Sequence, residues 1–187
     1  LIALSAEAEL PGLRCSILLV SEDGEHLRLG AAPNLSEAGQ KALDGMAIAE
    51  GVGASGTAAF RKTRVEIHNI FTDPKGQAFR QIAEENGLFA GWAEPIFGTA
   101  GELLGTFAAY HAEEYTASHE QQNQLALASQ LTAMIISHRQ NADRLEDSLT
   151  TFHGIFDSIS EALFIIDADG KCMDVNPGAE KLSGFTR

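Results

Sequence analysis

The chain has 187 residues, 44% of them hydrophobic, and a formal net charge of −13. That is one or two domains with enough apolar sequence for a core, and a surface this acidic repels phosphate backbones and anionic lipid, which sets aside nucleic-acid and membrane-surface partners. No apolar run reaches the about 18 residues of a membrane span and no signal peptide is visible. Cys15 and Cys172 fit no metal or disulfide spacing, so a reducing, cytoplasmic setting without a metal site is expected. A start at Leu1 and a stop in mid-pattern at Arg187 suggest a piece of a longer protein.

The segment 1–10 reads as the last turns of a helix, stopped by Pro11-Gly12. Cys15 to Val20 is a continuous apolar run, the mark of a strand buried on both faces. Turn residues Ser21 to Gly24 and the alternation at Leu27-Arg28-Leu29 make 13–32 a hairpin. Ser36 caps a short helix that runs to about Leu43. Gly51 to Thr57 is a small-residue loop entering Ala58-Ala59-Phe60-Arg61. Its amides could hold an anion or a ligand edge, but no Walker lysine follows the glycines and no dinucleotide glycine pattern is present.

Arg64 to Ile67 is a short strand, and Asp73-Pro74 marks a turn inside a loop from Asn69 to Gly76. Phe79 to Asn86 is a helix closed by Gly87. Leu88 to Phe97 is a strand with Trp92, Glu94 and Ile96 on one face, and it turns through Thr99 to Glu102 into the central strand Leu103 to Tyr110. Strands with hairpin neighbours and interspersed helices give an α+β class with an antiparallel sheet. From about Ser118 to Ile159 a helical stripe follows: Leu131, Met134, His138, Ala142, Leu145, Leu149, Phe152, Phe156 and Ile159. Its spacings of 3 and 4 residues are close to a heptad repeat, with two consecutive 4s around His138 acting as a stutter. Up to His138 the helix is expected to pack on its own domain; from 139 to 159 charge rises and a partner helix in a second chain is expected.

Taken in order, Cys15 to Val20 with Asp23-Gly24, Gly53-Ala-Ser-Gly-Thr-Ala-Ala-Phe60, Asp73-Pro74, Pro95-Ile96 and Gly101-Glu-Leu-Leu-Gly-Thr-Phe107 resemble a GAF domain of bacterial sensor kinases and cyclic-di-GMP signalling proteins. The resemblance implies a six-stranded antiparallel sheet with helices on both sides, a small-molecule pocket between the sheet and the short helices, and end helices that form a homodimer. Ile155 to Asp167, Asp169-Gly170, Asn176-Pro177 and Glu180 to Gly184 resemble the opening of a PAS domain. The expected organisation is a GAF-like sensory domain at 1–138, a connecting helix at 139–159 and an incomplete PAS-like start at 160–187. Too short for an independent core, that last segment is expected to be disordered, packed on the GAF part or swapped to another chain.

Relatives of this branch often carry cysteines in the middle of the glycine motif and just before the strand tryptophan; here Ser55 and Gly91 stand there. A thiol mechanism through that pair, including a methionine sulfoxide reductase activity, is thereby set aside. The cyclic-nucleotide signature and a bilin-attachment cysteine are also missing, and no haem or metal site is supported, so the ligand is left unassigned. Expected pocket residues are Thr57, Phe60, His68, Phe79, Trp92 and Glu94, with Thr106 and Tyr110 on one face of the central strand lining the same cavity. Trp92 could equally be core, and Glu94 on its face needs a cationic partner such as Arg61, Arg64 or Arg80. His68 is read as a rim or capping residue or a ligand contact, and His111 and His153 as solvated. No nucleophile and base come together, so this chain is not read as an enzyme; a histidine kinase or cyclic-di-GMP enzyme is the expected output elsewhere in the parent protein. The alternative is a dimerisation scaffold with no ligand.

Overall fold

The computed structural model describes residues 2–10 and 12–184, so the expected helix stop at Pro11 and the extreme ends of the chain lie outside the described residues. The chain divides into two compact units, Leu1–Ser137 and His138–Arg187.

The first unit opens with α1 (Ile2–Glu9), followed by the hairpin of β1 (Arg14–Val20) and β2 (His26–Ala31). Ser36 then accepts a hydrogen bond from the Gly39 amide at 3.1 Å and caps α2 (Glu37–Leu43). A two-residue edge strand, β3 (Met46–Ala47), pairs with β2; it is too short to leave a periodic signal, and the sequence reading passed over it. Helix α3 (Gly53–Arg61) and β4 (Val65–Ile67) follow, then a 3-10 helix (Pro74–Phe79), α4 (Arg80–Asn86), β5 (Ala90–Phe97) and β6 (Leu103–His111). The sheet order is β3-β2-β1-β6-β5-β4, antiparallel throughout, which makes β6 and β1 its centre. This is the α+β, six-stranded architecture that the sequence resemblance implied.

Two local readings change. The glycine segment is not a loop: α3 already begins at Gly53, and its residues 53–59 are all buried. Small residues are needed because α3 lies almost against the backbone of β3. A Cβ on Gly56 would sit 2.6 Å from the Ala47 carbonyl oxygen, and Gly53 enters the helix at φ +61°, a conformation that costs glycine little. Likewise the Asn69–Gly76 loop gives way to the 3-10 helix from Pro74, because Asp73 Oδ1 caps it by accepting from the Lys75 amide at 2.8 Å.

Alternation along the strands sends side chains to two separate cores. Leu18, Ala93, Ala108 and Tyr110 face α2, α3, α4 and the 3-10 helix. Cys15, Ile17, Trp92, Ile96, Phe107 and Ala109 face α1 and the first part of α5 (His119–Ser158). Helix α5 presents Leu125, Ser129, Thr132 and Ala133 to that second core, while Leu127, Leu131, Met134 and Ile135 are exposed. The face that packs on the domain is therefore a different one from the Leu131–Met134 stripe, which points away from the sheet.

In the second unit, β7 (Phe164–Ile166) and β8 (Cys172–Val175) form an antiparallel hairpin, and α6 (Pro177–Ser183) follows. Asn176, fully buried, organises it. Its Oδ1 accepts from the Leu163 and Ala179 amides at 2.8 and 2.9 Å, and its Nδ2 donates to the Ile159 and Glu161 carbonyls, both at 2.8 Å. One side chain thus caps α6 and ties it to the end of α5, so the segment has local order where the sequence reading left disorder open. Phe156 is buried in this unit, at 6% exposure, and is withdrawn from the set of stripe residues open to a partner chain.

Candidate functional site

The eight residues expected to line one pocket are divided between the two faces of the sheet. Thr57, Phe79, Thr106 and Tyr110 belong to the α3 side. There, Tyr110 is fully enclosed; its hydroxyl lies 3.0 Å from Ser16 Oγ, and its ring stacks on Phe79 with centroids 5.8 Å apart. Burial raises the Tyr110 phenol above its ordinary value, which keeps it a neutral hydrogen-bonding group. Ser55 Oγ, from α3, faces the same hydroxyl without completing a hydrogen bond. Thr106, four residues before Tyr110 on the same face of β6, also buries an Oγ1 without a partner among the described residues. Buried hydroxyls left unmatched are uncommon and cost free energy unless a ligand or water completes them. Thr57 is different: Oγ1 donates to the Gly53 carbonyl at 2.6 Å and accepts from the Gly51 amide at 3.2 Å, so it secures the entry to α3.

The other four residues are elsewhere. Phe60 lies on the outer surface of α3 at 55% exposure, because the helix begins earlier than the loop reading assumed and turns that position outward. His68 is exposed and approaches the Tyr115 carbonyl with Nδ1 at 3.2 Å and Thr116 Oγ1 at 3.3 Å; it ties the end of β4 to the segment before α5, which is the capping role. Trp92 belongs to the α5-side core and stacks on Tyr115, which in turn stacks on His111 at 4.2 Å. His111 is consequently half-buried, not solvated.

Glu94, 9% exposed, also faces α5. Among the three arginines considered, Arg64 is its partner: Nε donates to Glu94 Oε1. Arg64 further donates to the Gln122 side chain at 2.9 Å and to the Gln122 carbonyl at 3.4 Å, while Gln122 Nε2 donates to Glu66 Oε1 at 2.8 Å. Burial raises the Glu94 carboxyl above its ordinary value even with the guanidinium beside it. This polar network fastens β4 and β5 to α5. Sequence reasoning placed Glu94 on a buried face and saw that it needed a cation, but Gln122 and Glu66 carry no signal at that distance along the chain.

Among the described residues no group of three or more His, Cys, Asp or Glu side chains could hold a metal ion, and no helix is long and apolar enough to cross a membrane. Cys15 is enclosed; burial, with Glu7 adding to it, pushes its thiol up to about 12, so it is not a nucleophile at neutral pH.

Comparison with known proteins places this geometry. The GAF domain model matches residues 2–137 and a PAS domain model matches 150–187. A methyl sulfide methyltransferase-associated sensor of Methanosarcina acetivorans is 37% identical over 183 residues, 97% of this chain. The chain spans 18% of that protein's length. A domain described as that of a two-component sensor histidine kinase of Sinorhizobium meliloti superposes with a TM-score of 0.63 at 22% identity, covering 76% of this chain and 91% of the other. The GAF domain of a phosphoenolpyruvate-protein phosphotransferase from Coxiella burnetii gives 0.63 at 19%, covering 76% and 82%. At such identities the two structures speak to fold alone. The chain belongs to the GAF domain family through residues 2–137, with PAS-domain sequence at 150–187.

Proposed function

We propose that this chain is a sensory input module: a small ligand binds on the α3 side of the GAF sheet, and α5 carries the resulting bias to the PAS segment and to an output domain of the parent protein. The observation that carries the proposal is α5 itself. It is a single 40-residue helix, buried against the sheet at Leu125 and Ala133 and continuing to Ser158 in the second unit. In this proposal α5 is the element through which a ligand-dependent bias would leave the domain. A sensor relative of 37% identity supports the reading.

The proposed ligand position is beside Ser55, Phe79, Thr106 and Tyr110, a reading supported by the buried Ser55 and Thr106 hydroxyls that have no hydrogen-bond partner among the described residues. Ligand binding shifts such a module only by its difference in affinity between two states. The proposed output is a histidine kinase or a cyclic-di-GMP enzyme. The proposed organisation is a sensory domain at 1–138, a connecting helix at 139–159 and PAS sequence from 160, in a cytoplasmic homodimer joined through the exposed stripe of α5. The ligand-free scaffold is the second reading, favoured by the Phe79 ring stacked on Tyr110 where the ligand would enter.

Native mass spectrometry of the 187-residue chain, gentle enough to retain ligands, tests both. A dimer with added mass is expected. A bare dimer that stays bare across a metabolite panel would leave the scaffold reading, and a bare monomer would refute the helix-mediated dimer.

A further inference from the structure

On the side of the sheet opposite Tyr110, a cavity of about 500 Å³ opens between β5 and α5, within the about 300–1,000 Å³ of small-molecule sites. Thr63, Arg64, Glu94, Pro95, Phe97 and Ala126 contribute to its wall, with Ser129 and Gln130 from α5. The wall holds a complete ion pair, Arg64–Glu94, of which the glutamate side chain is only 12% exposed and the arginine 32%.

That pair is not saturated. Arg64 has five N–H donors. Three are used, one from Nε to Glu94 and one from each terminal nitrogen to Gln122, which leaves one N–H on each terminal nitrogen. Glu94 Oε2, Thr63 Oγ1 and the Gln130 amide make no hydrogen bond among the described residues. Both members of the ion pair in the wall thus keep hydrogen-bonding capacity that no described residue takes up. Pro95, Phe97 and Ala126 supply an apolar surface beside them.

We propose that this cavity binds a small zwitterion with an apolar side chain, an α-amino acid or close analogue, with its carboxylate on the free Arg64 N–H groups and its ammonium on Glu94 Oε2. Charge decides the class. A lone anion meets Glu94 and the chain's net charge of −13, and a lone cation meets Arg64. A zwitterion is neutral as a whole and matches both. Raised by burial, the Glu94 carboxyl gains a second cation and its charge is stabilised. Because Arg64 also holds Gln122 of α5 through its side chain and its carbonyl, a ligand that draws on the guanidinium acts on the helix that leaves the domain. This site is independent of the ligand position near Tyr110, and the failure of either leaves the other standing.

The test is titration of the 187-residue chain with L-leucine, followed by amide NMR shifts and calorimetry. Two analogues remove one charge each: 4-methylpentanoate lacks the ammonium and 3-methylbutylamine the carboxylate. Leucine is expected to bind saturably and to move the amides of residues 122–130, with each analogue at least about tenfold weaker, the loss expected for one charge-assisted pair. Arg64→Gln and Glu94→Gln should each weaken leucine binding similarly. Ala126→Phe, which puts a ring into the cavity wall and keeps both charged residues, should weaken it in a folded protein. Absence of saturable leucine binding, equal affinity for an analogue, or leucine binding undiminished in Ala126→Phe would overturn the proposal.

Discussion

Replacing Leu145 and Leu149 together by glutamate is the sharpest test of the connecting helix. Both lie on the outward stripe of α5, with exposures of 63% and 50%. Fully burying a leucine is worth about 2 kcal/mol, so covering the exposed fraction of either is worth about 1 kcal/mol. A parallel pair of chains buries both leucines from each, and the four side chains together contribute about 4 kcal/mol, or about a thousandfold in the dimer dissociation constant. Introduced carboxylates opposite their own copies add repulsion in the same direction. Sedimentation equilibrium across a concentration series reads the constant directly, and circular dichroism checks that the helix remains. Removal of residues 138–187 should release monomers in the same experiment. A double variant that dimerises like the wild type would refute the assignment of the stripe, and a truncated chain that stays dimeric would move the interface to the first unit.

Other consequences can be checked separately. Cys15 is buried with its thiol pushed up to about 12, whereas Cys172 is exposed, so a disulfide reagent at pH 8 should label one thiol promptly in the native chain and the second only on unfolding. Prompt labelling of both would contradict the enclosed Cys15. Glu94 has its carboxyl raised above the 4.5 of an ordinary glutamate, chiefly by burial. Above pH 4.5 the folded chain therefore keeps a proton that the unfolded chain has released. Its contribution to stability is complete below pH 4.5 and is lost as pH rises through the folded-state value. The unfolding free energy of wild type minus Glu94→Gln should accordingly fall over that window, and a difference that rises with pH would show the Arg64 pair outweighing burial. Asn176→Ala removes the cap of α6 and the tie to Ile159 and Glu161. Loss of these bonds should cost about 2 kcal/mol locally and speed hydrogen exchange at the Ala179 amide by about thirtyfold; unchanged protection would mean that Asn176 does not organise the segment.

Much of this architecture is written in local sequence. The apolar run of β1, the Ser36 cap, the Gly87 stop and the turn at Gly101 each specify an element through dihedral preference and periodicity over a few residues. The same holds for the continuity of α5, which has no proline and only Gly154 in its length. What these signals cannot convey is which face of an element meets which neighbour. Trp92 and Tyr110 occupy adjacent strands and were expected in one pocket, yet the pleat sends them to opposite sides of the sheet. Phe60 was assigned to the pocket from a loop that is in fact a helix; the glycines there read as loop residues, whereas Gly56 serves the close approach of α3 to the Ala47 carbonyl. Arg64 was one of three possible partners of Glu94, and its selection depends on Gln122 arriving from 58 residues away. Sequence by itself determined most of the elements and the family; tertiary structure decided the short edge strand, the start of α3 and which side chains share a space, because facing direction is settled by strand register and helix packing, and those are properties of pairs of segments.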